Sequence, residues 1–137
     1  MYPACFYHDD DGYTVVFPDL NYLATDGKTL EEAMDHAVDC LAGYIYLEKK
    51  DGNPIPDASD ISDIDALKIA RDLDPEDDPK NYFVNYVNVD VDAYAKQHFE
   101  KSVKKTLTIP AWLNQLAMEN NVNFSKVLQD ALIKMLL

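Results

Sequence analysis

Residues 101–117 read KSVKKTLTIPAWLNQLA, and their reading decides the second half of the chain. Three lysines stand in the first five positions, an apolar alternation follows, and Pro110 opens a helical pattern. Across 103–109, Val103, Lys105, Leu107 and Ile109 alternate with Lys104, Thr106 and Thr108. Strand side chains alternate in facing, so Leu107 and Ile109 fall on one face and Lys104, Thr106 and Thr108 on the other. Pro110 suits a first helical turn, where a missing N–H costs nothing. Leu113, Leu116 and Ala117 then mark one face of a helix over 110–119. Asn123 or Ser125 caps the next start. Phe124, Val127, Leu128, Ala131, Leu132 and Met135 keep helical spacing from there.

Charge separates this segment from what precedes it. Residues 1–100 hold 23 acids against 7 lysines and arginines, a balance of −16, whereas residues 101–137 hold 2 acids and 5 lysines, a balance of +3. Such asymmetry is a cue for an appended binding module. An acidic body repels nucleic acid and favours a basic partner; the cationic tail does the reverse. At 137 residues and 47% hydrophobic, the chain has room for one proper core plus a small extra unit. No run approaches the ~20 apolar residues of a membrane span. The start lacks a cationic region followed by an apolar run, and Cys5 and Cys40 show no paired spacing. A cytoplasmic protein with free thiols and no membrane association is expected.

The body begins with a hairpin. YPACFYH (2–8) and YTVVF (13–17) are rich in aromatic and β-branched residues around an acidic Asp-Gly turn. NYLAT (21–25) offers a third strand. Thr29 and Glu32 make a capping box, and Leu30, Ala33, Met34, Ala37, Val38, Leu41 and Ile45 follow as one apolar helix face over 29–49. Residues 51–80 form a turn-rich, acidic connection with room for a short helix. NYFVNYVNVDV (81–91) reads as a mostly buried strand, and 92–99 as a short helix. The fold class is α+β: a small sheet with a covering helix in a domain over 1–99, then a strand-helix-helix domain over 100–137.

The strand-helix-helix segment resembles a ribbon-helix-helix DNA-binding domain. One strand with two bare edges and few apolar residues is not self-sufficient, and pairing with a second copy solves both problems in a two-fold dimer. That resemblance implies a homodimer held by Leu107, Ile109, Leu113, Leu116, Val127, Leu128, Ala131 and Leu132. Lys104, Thr106 and Thr108 would read bases from the ribbon in the major groove. Lys101, Lys105 and Lys126 would contact the DNA backbone, and the amides near Phe124 and Ser125 would hold phosphates. Lys105 lies on the inner face of the strand, so its head must escape along the helix.

Residues 2–37 resemble the N-terminal domain of the HicB antitoxins. The resemblance rests on the opening Tyr-Pro-Ala, the acidic turn with Gly12, the FPDL at 17–20, and the T-x-G-x-T-x-x-E-A pattern at 25–33. It implies a truncated RNase H-like body. It also implies two activities: neutralising HicA, a small basic ribonuclease that cleaves mRNA, and repressing the antitoxin's own operon by binding operator DNA. Where many relatives carry Gly-Cys after the PDL, this chain has Tyr22-Leu23. The residues that touch the toxin are not assigned.

Two other classes are weighed beside this one. A ribbon-helix-helix regulator whose body senses a small ligand or another protein fits the same architecture. A metal-dependent nuclease would need clustered carboxylates, and Asp9, Asp10, Asp11, Asp19, Asp90 and Asp92 supply the raw material. Asp9–Asp11 are consecutive in a turn, however, and Asp90 or Asp92 suits a helix cap. His8, His36 and His98 show no metal-ligand spacing, and Cys5 and Cys40 no partner base. No catalytic residue, metal or cofactor is expected, and the protein is not expected to be an enzyme.

Overall fold

The computed structural model describes residues 1–137, which divide into two compact units, Met1–Lys101 and Ser102–Leu137. In the first unit, β1 (Tyr2–Asp9), β2 (Gly12–Phe17) and β3 (Leu23–Gly27) are followed by α1 (Leu30–Lys50), α2 (Ala66–Leu73), β4 (Asn81–Val87) and α3 (Val91–His98). The second unit holds α4 (Ala111–Glu119) and α5 (Phe124–Leu136). No helix is long and apolar enough to cross a membrane.

The sheet is wholly antiparallel in the order β3-β2-β1-β4. The β1–β2 loop is the pair Asp10-Asp11, whose second amide donates to the Asp9 carboxylate at 2.8 Å. Gly12 follows with φ +125°, and a Cβ there would stand 2.5 Å from the Gly27 carbonyl oxygen. Glycine is therefore required by conformation and by space.

α1 starts as its capping box dictates. The Thr29 hydroxyl accepts from the Glu32 amide at 3.1 Å, and the Glu32 carboxylate accepts from the Lys28 amide at 2.8 Å. Ala33, Ala37, Leu41 and Ile45 of this helix bury against Ala4, Phe6, Val15 and Phe17. Leu30, expected on that face, lies at the helix start and is exposed.

The other sheet face is also covered. Pro3, Cys5 and Val16 are buried there, beneath the segment read from sequence as an acidic connection. Ala66 and Ala70 of α2 bury against this face, and several bonds tie the segment down. The Tyr2 hydroxyl donates to the Pro56 carbonyl, the Tyr7 hydroxyl to the Ala66 carbonyl at 2.7 Å, and the Ile61 amide to the Tyr86 hydroxyl at 2.9 Å. Residues 51–80 are thus a layer of the first unit.

Four expectations need correction. The third strand begins at Leu23, because Asn21 and Tyr22 turn the chain with φ of 56° and 59°. β4 stops at Val87 and is largely exposed, because it occupies one edge of the sheet. Val91 belongs to α3, where the Asp90 carboxylate caps the Ala93 amide at 3.1 Å. Finally, 103–109 forms no strand: residues 101–110 carry no regular secondary structure, since a ladder needs a partner strand that one copy of this unit does not supply.

Candidate functional site

The second unit is built from helices that bury little. α4 begins after Pro110, and the Asn123 side chain caps α5 by accepting from the Lys126 amide at 3.1 Å. That cap leaves the Phe124 and Ser125 amides, at the positive end of the helix dipole, without a partner in the chain. Lys101, Lys104, Lys105, Thr106 and Thr108 lie in the exposed segment before α4. Lys126 is exposed on the first turn of α5, 3.5 Å from Asp130.

The apolar residues here are conspicuous for lacking cover. Leu107 is 65% exposed, Val127 56% and Leu132 44%, and Leu113 and Leu116 are also exposed. Ala131 is exposed on α5, while Leu128 and Ala117 are half-buried. Ile109 stands among the exposed residues before α4. These apolar residues, at helical spacing, leave apolar surface in water.

In the first unit, three of the six carboxylates considered as metal ligands have structural jobs. Asp9 takes the turn amide, Asp90 caps α3, and Asp19 accepts from the Ser59 amide and hydroxyl, both at 2.7 Å. No group of three His, Cys, Asp or Glu side chains is placed to hold a metal ion. His36 Nδ1 lies 2.6 Å from the Asp26 carbonyl, and His98 stacks on Tyr94. Cys5 is fully buried, and burial pushes its thiol above the ordinary value.

An acidic cleft of about 430 Å³ opens between the β1–β2 loop and the chain leading into β4. Asp9, Asp10, Asp74 and Asp77 line it over an apolar floor that includes Val16 and Leu73. Asp78, on the same rim, is held below the usual carboxylate range by its bond from Lys80, with Arg71 adding to the effect. Sequence reasoning missed this cleft, because its two walls are about 60 residues apart and the acids of each read as ordinary solvated turns.

Residues 1–69 match the family model described as the HicB_like antitoxin of bacterial toxin-antitoxin system. Antitoxin HicB 2 of Photorhabdus laumondii is 42% identical over 57 residues, which are 40% of this chain and 41% of that relative. Among solved structures, a chain of the toxin-antitoxin complex from Streptococcus pneumoniae is similar over 98% of this chain and 97% of its own, with 33% identity and a TM-score of 0.68. The antitoxin HicB of Burkholderia pseudomallei shares the fold, at 19% identity and a TM-score of 0.52 over 99% and 97% of the two chains.

Proposed function

The chain belongs to the HicB-like antitoxins of bacterial toxin–antitoxin systems, and from that premise we propose that its two units serve two partners. The acidic body binds a HicA-type mRNA-cleaving toxin and denies RNA access to it by occlusion. The cationic tail pairs with a second copy as a ribbon-helix-helix dimer and represses the antitoxin's own operon.

One observation carries the second half. The apolar residues of 102–137 are uncovered in a single chain, directly behind a lysine-bearing segment whose backbone lacks a ladder. About 36 residues cannot bury a core alone. Pairing 103–109 with its copy supplies the missing ladder, and it gives Leu107, Ile109, Leu113, Leu116, Val127, Leu128, Ala131 and Leu132 something to pack against. The ribbon then presents Lys104, Thr106 and Thr108 of both copies to base edges. Lys101, Lys105 and Lys126 meet phosphates, as do the free amides of Phe124 and Ser125.

The charge of the first unit supports the other half. A balance of −16 over residues 1–100 steers a basic ribonuclease towards the body and keeps that body off DNA. The test is an RNA-cleavage assay with the small basic protein encoded beside this chain. Equimolar antitoxin is expected to stop cleavage. Cleavage that continues at saturating antitoxin contradicts the neutralising role.

A further inference from the structure

A four-stranded open sheet has two edges, and this protein treats them differently. The β3 edge is five residues long and carries Asp26. Its carbonyls at Ala24 and Asp26 face donors from α1, the Cys40 thiol at 4.0 Å and His36 Nδ1 at 2.6 Å. Short length, charge and side-chain cover are the ordinary ways of closing an edge.

The β4 edge has none of these along most of its length. Its seven residues, NYFVNYV, include no charge and no proline. The register fixes which backbone groups point outward. Pro3 has no N–H, and the Tyr86 amide bonds to the Asn85 side chain at 2.9 Å, so the facing pair Pro3 and Tyr86 exchanges no ladder bonds. Alternation along an antiparallel pair then makes Tyr82 and Val84 the other positions whose N–H and C=O face away from β1. Asn85 closes the edge at Tyr86; Tyr82 and Val84 stay open. Tyr82 and Phe83 flank this opening and are 42% and 40% exposed, on opposite faces of the sheet.

We infer that the outer edge of β4 is a strand-addition site, and that its occupant is an exposed strand of a cationic protein. An added strand takes hydrogen bonds from Tyr82 and Val84 and packs side chains on Phe83 and Tyr82. Charge selects the occupant. Asp77 and Asp78 precede β4, Asp90 and Asp92 follow it, and the acidic cleft lies at its first residue, Asn81. The two cations at that end, Lys80 and Arg71, are both paired with Asp78. A second copy would bring another body of balance −16 against the same acids, whereas a basic partner is drawn in. The inference rests on the toxin-binding role proposed above and names the surface and the mode of that binding.

The test uses the full chain and the basic ribonuclease encoded beside it. Val84→Pro removes one outward N–H and leaves the bonds to β1 in place, which is where an edge strand tolerates proline. Affinity for the ribonuclease is expected to fall about tenfold or more, with the far-ultraviolet circular dichroism unchanged. Amide exchange at Tyr82 and Val84 is expected to slow in the wild-type complex. If wild-type chain does not bind the ribonuclease, the neutralising role itself is wrong. If it binds but Val84→Pro binds equally well, the edge inference is overturned. Should Val84→Pro fail to fold, the exchange data decide: slowed exchange at both amides supports the site and unchanged exchange overturns it. Slowed exchange that grows with antitoxin concentration alone makes the edge a self-interface and also overturns it.

Discussion

The Tyr7 hydroxyl donates to the Ala66 carbonyl across 2.7 Å, joining the second face of the sheet to the first turn of α2. Replacing Tyr7 with Phe removes this bond and leaves the ring in place, at a cost of about 1 kcal/mol near neutral pH. Burial, then the neighbouring Cys5, raise the Tyr7 phenol above its ordinary value. A raised value means that the folded protein keeps a proton which the unfolded chain loses. The Tyr7 contribution is therefore complete below the unfolded value, about 10, and declines as pH rises above it. Urea titrations should show the gap between wild type and Tyr7→Phe narrowing above that pH.

Asp19 gives a second check on the covering layer. Its carboxylate holds the Ser59 amide and hydroxyl, bridging the PDL turn and the segment that crosses the sheet. Asp19→Ala should lower stability by about 2 kcal/mol and Ser59→Ala by about 1 kcal/mol, measured by urea unfolding. A carboxylate acting as a metal ligand would instead leave stability largely untouched.

Much of this layering is legible in the sequence, and the parts that are not have physical reasons. The Thr29–Glu32 capping box and the run from Ala33 to Ile45 define α1 almost to the residue, because cap and period are local signals. β1 carries a subtler one. YPACFY is apolar on both alternating faces, which calls for cover on both sides, yet nothing local says that α2 supplies the second. Ala66 and Ala70 are too small to mark an apolar face within an acidic stretch. The edge position of β4 is set by strand order, which composition does not encode, so its valines and aromatics read as burial. In the tail, the alternation at 103–109 is plain in sequence, but its unit contains no second strand for it to pair with.

The departure at Tyr22 has a conformational consequence. Its φ of 59° lies in the left-handed region, where an aromatic side chain costs about 1–2 kcal/mol and glycine almost nothing. Tyr22→Gly should therefore stabilise the first unit by about 1 kcal/mol after the entropy of the unfolded glycine is counted. A thermal melt raised by a few degrees confirms the strain; a lowered one shows that the half-exposed ring holds the turn by packing.

Within the tail, base-facing and core-facing residues should separate cleanly. Thr106→Ala or Lys104→Ala is expected to weaken operator affinity by about 1–3 kcal/mol while toxin neutralisation stays intact. Leu128→Glu should abolish both dimer formation and operator binding, because it would bury a charge in the proposed dimer interface. Sedimentation velocity beside DNA anisotropy distinguishes the two effects. If Thr106→Ala removes operator binding and toxin neutralisation together, the division of labour between the units is wrong.

The decisive experiment for the tail is fluorescence anisotropy of the full chain on DNA from just upstream of its coding region, against a scrambled duplex and across a salt series. Tight, sequence-selective binding by a dimer is expected. Its logarithmic affinity should fall linearly with the logarithm of salt, with a slope of about −5 if Lys101, Lys105 and Lys126 of both copies meet phosphates. Equal affinity for the two duplexes at every salt concentration contradicts the repressor role, and would leave the tail with dimerisation alone.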